Sequence, residues 1–109
     1  MARQRTDLQT ELELLMGVVA GPEFIQNVYF QPPPSVKLKY PCIVYEVDYR
    51  MNAFADNLPY RNTKRYQLTV IDRNPDSKIP DGVARLPLNT YVRFFAAGDL
   101  NHHIFVLYY

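Results

Sequence analysis

Cysteine is nearly missing from this chain: Cys42 stands alone, which excludes an internal disulfide and fits folding in a reducing cytosol. Tryptophan is absent and glycine is scarce, at four residues, and no glycine-rich phosphate loop can be found among them. Neither sign of charge dominates. Twelve Lys and Arg face eleven Asp and Glu, and a net +1 supplies no overall pull toward nucleic acid or an anionic membrane. No apolar run approaches the roughly 18 residues of a membrane span, and Met1-Ala2-Arg3-Gln4-Arg5 is followed by no apolar region of a signal peptide. The expectation is a soluble protein made in the cytosol, with no membrane association and a single domain over residues 1–109.

What the chain has in quantity is aromatic surface, nine Tyr and six Phe, suited to wide contacts with polar tips. The stretch that organises the rest runs from Pro41 to Arg73. Its first arm, Cys42 to Met51, alternates Ile43, Tyr45, Val47, Tyr49 and Met51 against Glu46, Asp48 and Arg50, the period-2 pattern of a half-buried strand. The second arm, Lys64 to Arg73, sets Tyr66, Leu68 and Val70 against Arg65, Gln67, Thr69 and Arg73. At roughly 3.3 Å per residue a ten-residue arm spans about 33 Å, against a radius of gyration of roughly 13 Å for a domain near this size. The expected hairpin therefore projects. Its tip, Asn52 to Thr63, is too long for a two-residue turn and carries Phe54, Leu58 and Tyr60. Such side chains either dock onto a neighbour or fold back onto their own domain.

Around the hairpin the spacing predicts four further elements. Leu8, Leu12, Leu15 and Val19 recur at helical steps behind a capping box at Thr6-Asp7-Leu8-Gln9, giving an amphipathic helix over about Asp7 to Val19 that Gly21-Pro22 stops. Phe24 to Phe30 is a short strand candidate closed by Pro32-Pro33-Pro34, a stiff connector. Asp76 or Ser77 caps a short helix with Ile79, Val83 and Leu86 inward, ended by Pro87. Tyr91 to Ala97 and His103 to Tyr109 form a terminal hairpin through Gly98 to Asn101, and the last strand, apolar on both faces, belongs in the middle of the sheet or under a partner. The fold class is α+β: an N-terminal helix packed on a mostly antiparallel sheet, a long protruding hairpin, a short second helix and a C-terminal hairpin.

Chemistry is looked for without result. His102 and His103 are neighbours on a strand and point to opposite faces, so they cannot easily share a metal. Asp72-Arg73-Asn74-Pro75-Asp76 begins like a calcium loop, yet Ser77 stands where the loop needs Gly and Val83 where it needs Glu. Cys42 has no partner arrangement for nucleophilic catalysis. Glu46 and Asp48 share a strand face and are expected to be solvated charges paired with Arg65 or Arg73. Arg61, Lys64 and Arg65 beside Tyr60 and Tyr66 form the only cluster suited to a phosphate backbone. No enzyme activity, cofactor or metal is expected.

The order of elements resembles the tail terminator and tail-completion, or head-to-tail joining, proteins of long-tailed bacteriophages. So do Tyr40-Pro41-Cys42-Ile43-Val44-Tyr45-Glu46, the tip Phe54-Ala55-Asp56-Asn57 with Pro59-Tyr60-Arg61, the run Tyr66 to Asp72 with Pro75-Asp76-Ser77, and Leu100-Asn101-His102-His103. The resemblance covers roughly Ile25 to Tyr109 and implies a structural virion protein of the head-proximal neck, synthesised in the host bacterial cytoplasm. It implies a hexameric ring that caps the tail tube, ends tube polymerisation and offers a docking surface to the head connector, with DNA passing through the lumen and no sequence-specific nucleic-acid binding. The partners so implied are further copies of the chain, the tail tube protein and the head-connector or stopper protein. Projection and resemblance together nominate Tyr49, Arg50, Met51, Phe54, Leu58, Tyr60, Arg61 and Arg65 as subunit or tube contacts. Two rival readings stand beside it: a head-to-tail joining protein of the same neck, and a small single-stranded nucleic-acid module using Tyr and Arg on its sheet.

Overall fold

A computed structural model describes residues 4–48 and 64–109. The chain folds as α1 (Arg5–Val19), a 3₁₀ turn (Pro22–Phe24), β1 (Val28–Phe30), β2 (Cys42–Val47), β3 (Arg65–Asp72), α2 (Ile79–Ala84), β4 (Asn89–Ala97) and β5 (Leu100–Tyr108). One long and one short helix lie on a five-stranded mixed sheet of order β1-β2-β3-β5-β4, an α+β architecture. β1 runs parallel to β2, and the other neighbours are antiparallel.

The core follows from the alternation read in the sequence. Ile43 and Tyr45 on β2, Tyr66, Leu68 and Val70 on β3, and Phe105 and Leu107 on β5 are buried on one sheet face. The register stacks Tyr45, Leu68, Phe105 and Tyr91 across it. Leu8, Leu12 and Met16 of α1 and Ile79 and Val83 of α2 close that face from above. The buried stripe of α1 thus runs at four-residue steps through Met16, while the expected Leu15 and Val19 are half-buried flanks. Those two side chains turn toward α2, where a Cβ on Gly82 would sit 3.3 Å from both. Glycine there lets the helices approach closely.

Several local expectations shift by a residue or two. α1 starts at Arg5 instead of Asp7, because Asp7 Oδ2 accepts the Gln4 N–H at 3.0 Å and serves as the third helical residue of an earlier start. Thr6 is inside the helix, and its carbonyl takes the Thr10 hydroxyl at 3.1 Å. The Phe24–Phe30 strand candidate is a 3₁₀ turn followed by a three-residue strand. Lys78 is the N-cap of α2, although Ser77 Oγ accepts the Ile79 N–H at 3.3 Å. The Asp72 and Asn74 side chains accept the N–H groups of Asn74 and Asp76, each at 3.0 Å, so this stretch is a pair of Asx turns leading into α2. The terminal hairpin is tighter than expected, turning over Gly98 and Asp99 alone, with Gly98 at φ +64°. β5 is an interior strand between β3 and β4, as its two apolar faces require. Cys42 is fully buried, and burial, helped by the Asp72 charge, pushes its thiol up to about 12, which suits a small strand residue.

Candidate assembly surface

The two arms of the central hairpin stay in register to the limit of the described residues. Asp48 N–H donates to the Arg65 carbonyl at 2.8 Å, one step past the last strand pair, Val47 with Tyr66. At this root the Asp48 carboxylate lies 3.3 Å from Arg65 Nε, with the two side chains only 4% and 19% exposed. The Arg65 guanidinium also lies 6.0 Å from the centre of the Tyr108 ring. Asp48 is therefore not the solvated charge that its place in the sequence suggests. Arg73, the other expected partner, pairs with Asp99 at 3.1 Å across an exposed corner, and Glu46 accepts a long 3.5 Å bond from Gln67. The pairing of β3 with β5 reinforces the root, since Lys64 and Tyr109, one step past the last strand pair, exchange backbone hydrogen bonds of 3.0 and 2.9 Å.

Of the nominated contact residues, Arg65 alone is described, and its guanidinium is held against Asp48 at the base of the arm. Tyr49, Arg50, Met51, Phe54, Leu58, Tyr60 and Arg61 lie outside the described residues. The proposed basic and aromatic cluster is split where it can be seen. Tyr66 is buried in the core, whereas Arg65, one residue earlier on the same strand, is on the opposite face.

A second surface lies at the far edge. Every residue of β4 after Asn89 is exposed, and Tyr91, Val92, Phe94 and Phe95 show between 37% and 51% of their surface to solvent. A bulge at Val92 shifts the register between Tyr91 and Arg93 and leaves Tyr91 on the same face as Phe94, while Phe95, as the next residue, points to the other, so both sheet faces at this edge carry aromatics. Phe95 stacks on His102 at 4.4 Å between ring centres, with Arg93 lying over it at 5.2 Å. On the helix-bearing face Tyr91 and Phe94 flank His103, whose Nδ1 is 3.3 Å from the Tyr91 hydroxyl. The two imidazoles thus face opposite ways. Partial burial lowers the His103 pKa, opposed by the charges of Asp72 and Asp81.

The two surfaces meet. Glu46, Val47, Asp48 and Gln67 from the root and Val92, Arg93 and Ile104 from the terminal hairpin line one trough of about 750 Å³. Its polar walls place the exposed Glu46 opposite the exposed Arg93. Sequence reasoning assigned β4 to the sheet but not to the contact set. The available signal was that both strands of the terminal hairpin are apolar on both faces, and a hairpin at the end of a sheet can bury only one of them between neighbours. Among the described residues no group of three or more His, Cys, Asp or Glu side chains converges as a metal site, and no helix is long and apolar enough to cross a membrane. Compared with protein-family models, curated proteins and solved structures, the chain has no significant match to any of them.

Proposed function

We propose that this chain is a structural virion protein that assembles as a hexameric ring on the head-proximal end of a phage tail tube, stops tube growth and receives the head connector. The observation that carries the proposal is the hairpin root, where paired strands locked by Asp48 and Arg65 lead straight into residues 49–63, the segment bearing the nominated contacts. An ion pair with little solvent exposure holds the two strand ends together at Asp48 and Arg65, a firm base of the kind that a segment reaching a neighbouring subunit requires. The α+β sheet with its helices on one face supports the same reading, as does the sequence resemblance. The mechanism is steric: the ring occupies the site of the next tube layer, and no bond is made or broken.

Light scattering and native mass measurements test it, with and without tail tubes. The expected mass is six times the 12.7 kDa chain, or a multiple of six, collapsing in Phe54→Ala and Tyr60→Ala. A mass that is never a multiple of six, unchanged by these substitutions and by added tubes, overturns the ring. A ring that binds tube ends without arresting their growth moves the assignment to a head-to-tail joining protein. A second reading draws on β4, whose exposed rings lie on both faces, Phe95 under Arg93 on one and Tyr91 with Phe94 on the other, surfaces of the kind on which unpaired bases stack. Salt-dependent binding of oligonucleotides, lost in Phe94→Ala and Phe95→Ala, would favour that reading.

A further inference from the structure

The two edges of the sheet are not equivalent. β1 is three residues long, its outward Val28 carbonyl accepts the Gln9 side-chain amide of α1 at 3.2 Å, and Pro32-Pro33-Pro34 follows. Each of these features blunts an edge against further pairing. β4 has nine residues, meets α2 at its Asn89 end, is exposed from Thr90 to Ala97 among the described residues, and bears a single charge, Arg93. A molecule with one open edge cannot pair head to tail through its strands. Two copies can meet only edge to the same edge, which is a two-fold, self-complementary contact.

We propose that β4 is a docking strand for the β4 of a second copy, paired antiparallel about a two-fold axis at Phe94. Backbone direction and charge select this register. Antiparallel strands turn alternate N–H and C=O groups to opposite sides, and counting back from the two-residue turn directs those of Ala96 and Phe94 away from β5. An axis at Phe94 sets Phe94 opposite the partner's Phe94 on the helix-bearing face. On the other face it sets Arg93 opposite the partner's Phe95, repeating between copies the cation–π contact that Arg93 makes within its own strand at 5.2 Å. Val92 then meets Ala96. An axis one residue earlier would place the two Arg93 side chains face to face, a like-charge cross-strand pair.

This contact does not depend on the ring, because a two-fold surface closes at two copies. It joins two free chains, or two rings into twelve. The first test is mass by light scattering for the native chain and Phe94→Lys, which puts two ammonium groups on the axis. Halving of the mass, from two chains to one or from twelve to six, is the expected result. A native mass of one or six chains, or a mass unaltered by Phe94→Lys, overturns the proposal, while multiples of six report on the ring separately. The second test needs no loss of structure. Phe94→Cys treated with oxidised glutathione is expected to form a disulfide-linked pair, since Cα atoms facing across a strand pair lie within disulfide reach and Cys42 is buried and cannot compete. Val18→Cys, at the 85% exposed position on α1, is expected to stay unlinked. Equal linking of the two variants, or none in Phe94→Cys, overturns the two-fold strand contact.

Discussion

The edge strands β1 and β4 have similar chemistry and opposite fates. Val28-Tyr29-Phe30 and Tyr91-Val92-Arg93-Phe94-Phe95 are both β-branched and aromatic, yet the first is buried or half-buried under α1 and the second is bare. The difference lies in what stands beside each strand. α1 crosses β1 and places Arg5 and Gln9 there: Gln9 accepts the Tyr45 hydroxyl at 2.5 Å while its amide holds the Val28 carbonyl, and Arg5 donates to the same hydroxyl at 3.0 Å and lies 4.6 Å over Phe30. Aromatic content makes a strand, and its neighbours decide whether it is an interior or a surface.

That contrast can be broken at the covered end more easily than at the bare one. Leu12→Ala, in the stripe that seats α1 on the sheet, is expected to lower unfolding free energy by about 3 kcal/mol, whereas Phe94→Ala at the exposed edge should change the unfolding of the dissociated chain by less than about 1 kcal/mol. Chemical denaturation at a concentration low enough to dissociate copies separates the two, and equal losses would show that β4 is packed in solution. Next in size is Asp48→Ala, which strips the partner from the nearly buried Arg65. Removing one member of a buried pair costs about 3–5 kcal/mol, and the remaining exposure of Arg65 reduces this to about 2 kcal/mol here. Asp48→Asn should recover part of the loss.

Gln9→Ala sharpens the comparison at the other edge. It frees the Val28 carbonyl and removes one partner from the Tyr45 hydroxyl, for about 1–2 kcal/mol, and hydrogen exchange should quicken on β1 while β4 keeps its rate. The smallest effect concerns His103. Its folded pKa lies below its ordinary value of 6.5 because burial disfavours the charged ring, so the unfolded chain takes up the proton first as pH falls. Stability is therefore unaffected above the ordinary value and declines as pH drops below it. His103→Gln should flatten this decline in a melting series between neutral and mildly acid pH, and an unchanged slope would place its origin elsewhere.

Much of this was legible beforehand. Period-2 alternation in Ile43-Val44-Tyr45 and Tyr66-Gln67-Leu68 marked the core face correctly, because side-chain direction on a strand is set by the backbone alone. Helical spacing found α1 and the inward Ile79 and Val83 of α2 for the same reason. Boundaries slipped where capping was at issue: Asp7 and Ser77 use their short side chains on whichever amide the turn brings within reach. The parallel seat of β1 beside β2 carried no local signal at all.

The sequence by itself determined the order of the main helices and strands, which faces of β2 and β3 are apolar, and that the last strand is apolar on both faces, since these depend on the order of side chains along a few residues of backbone. Only the tertiary structure decided that Asp48 is buried against Arg65, that Gln9 closes one sheet edge, and that β4 closes the other with its aromatics exposed. Those outcomes depend on which elements become neighbours, a property of packing between segments far apart in the chain.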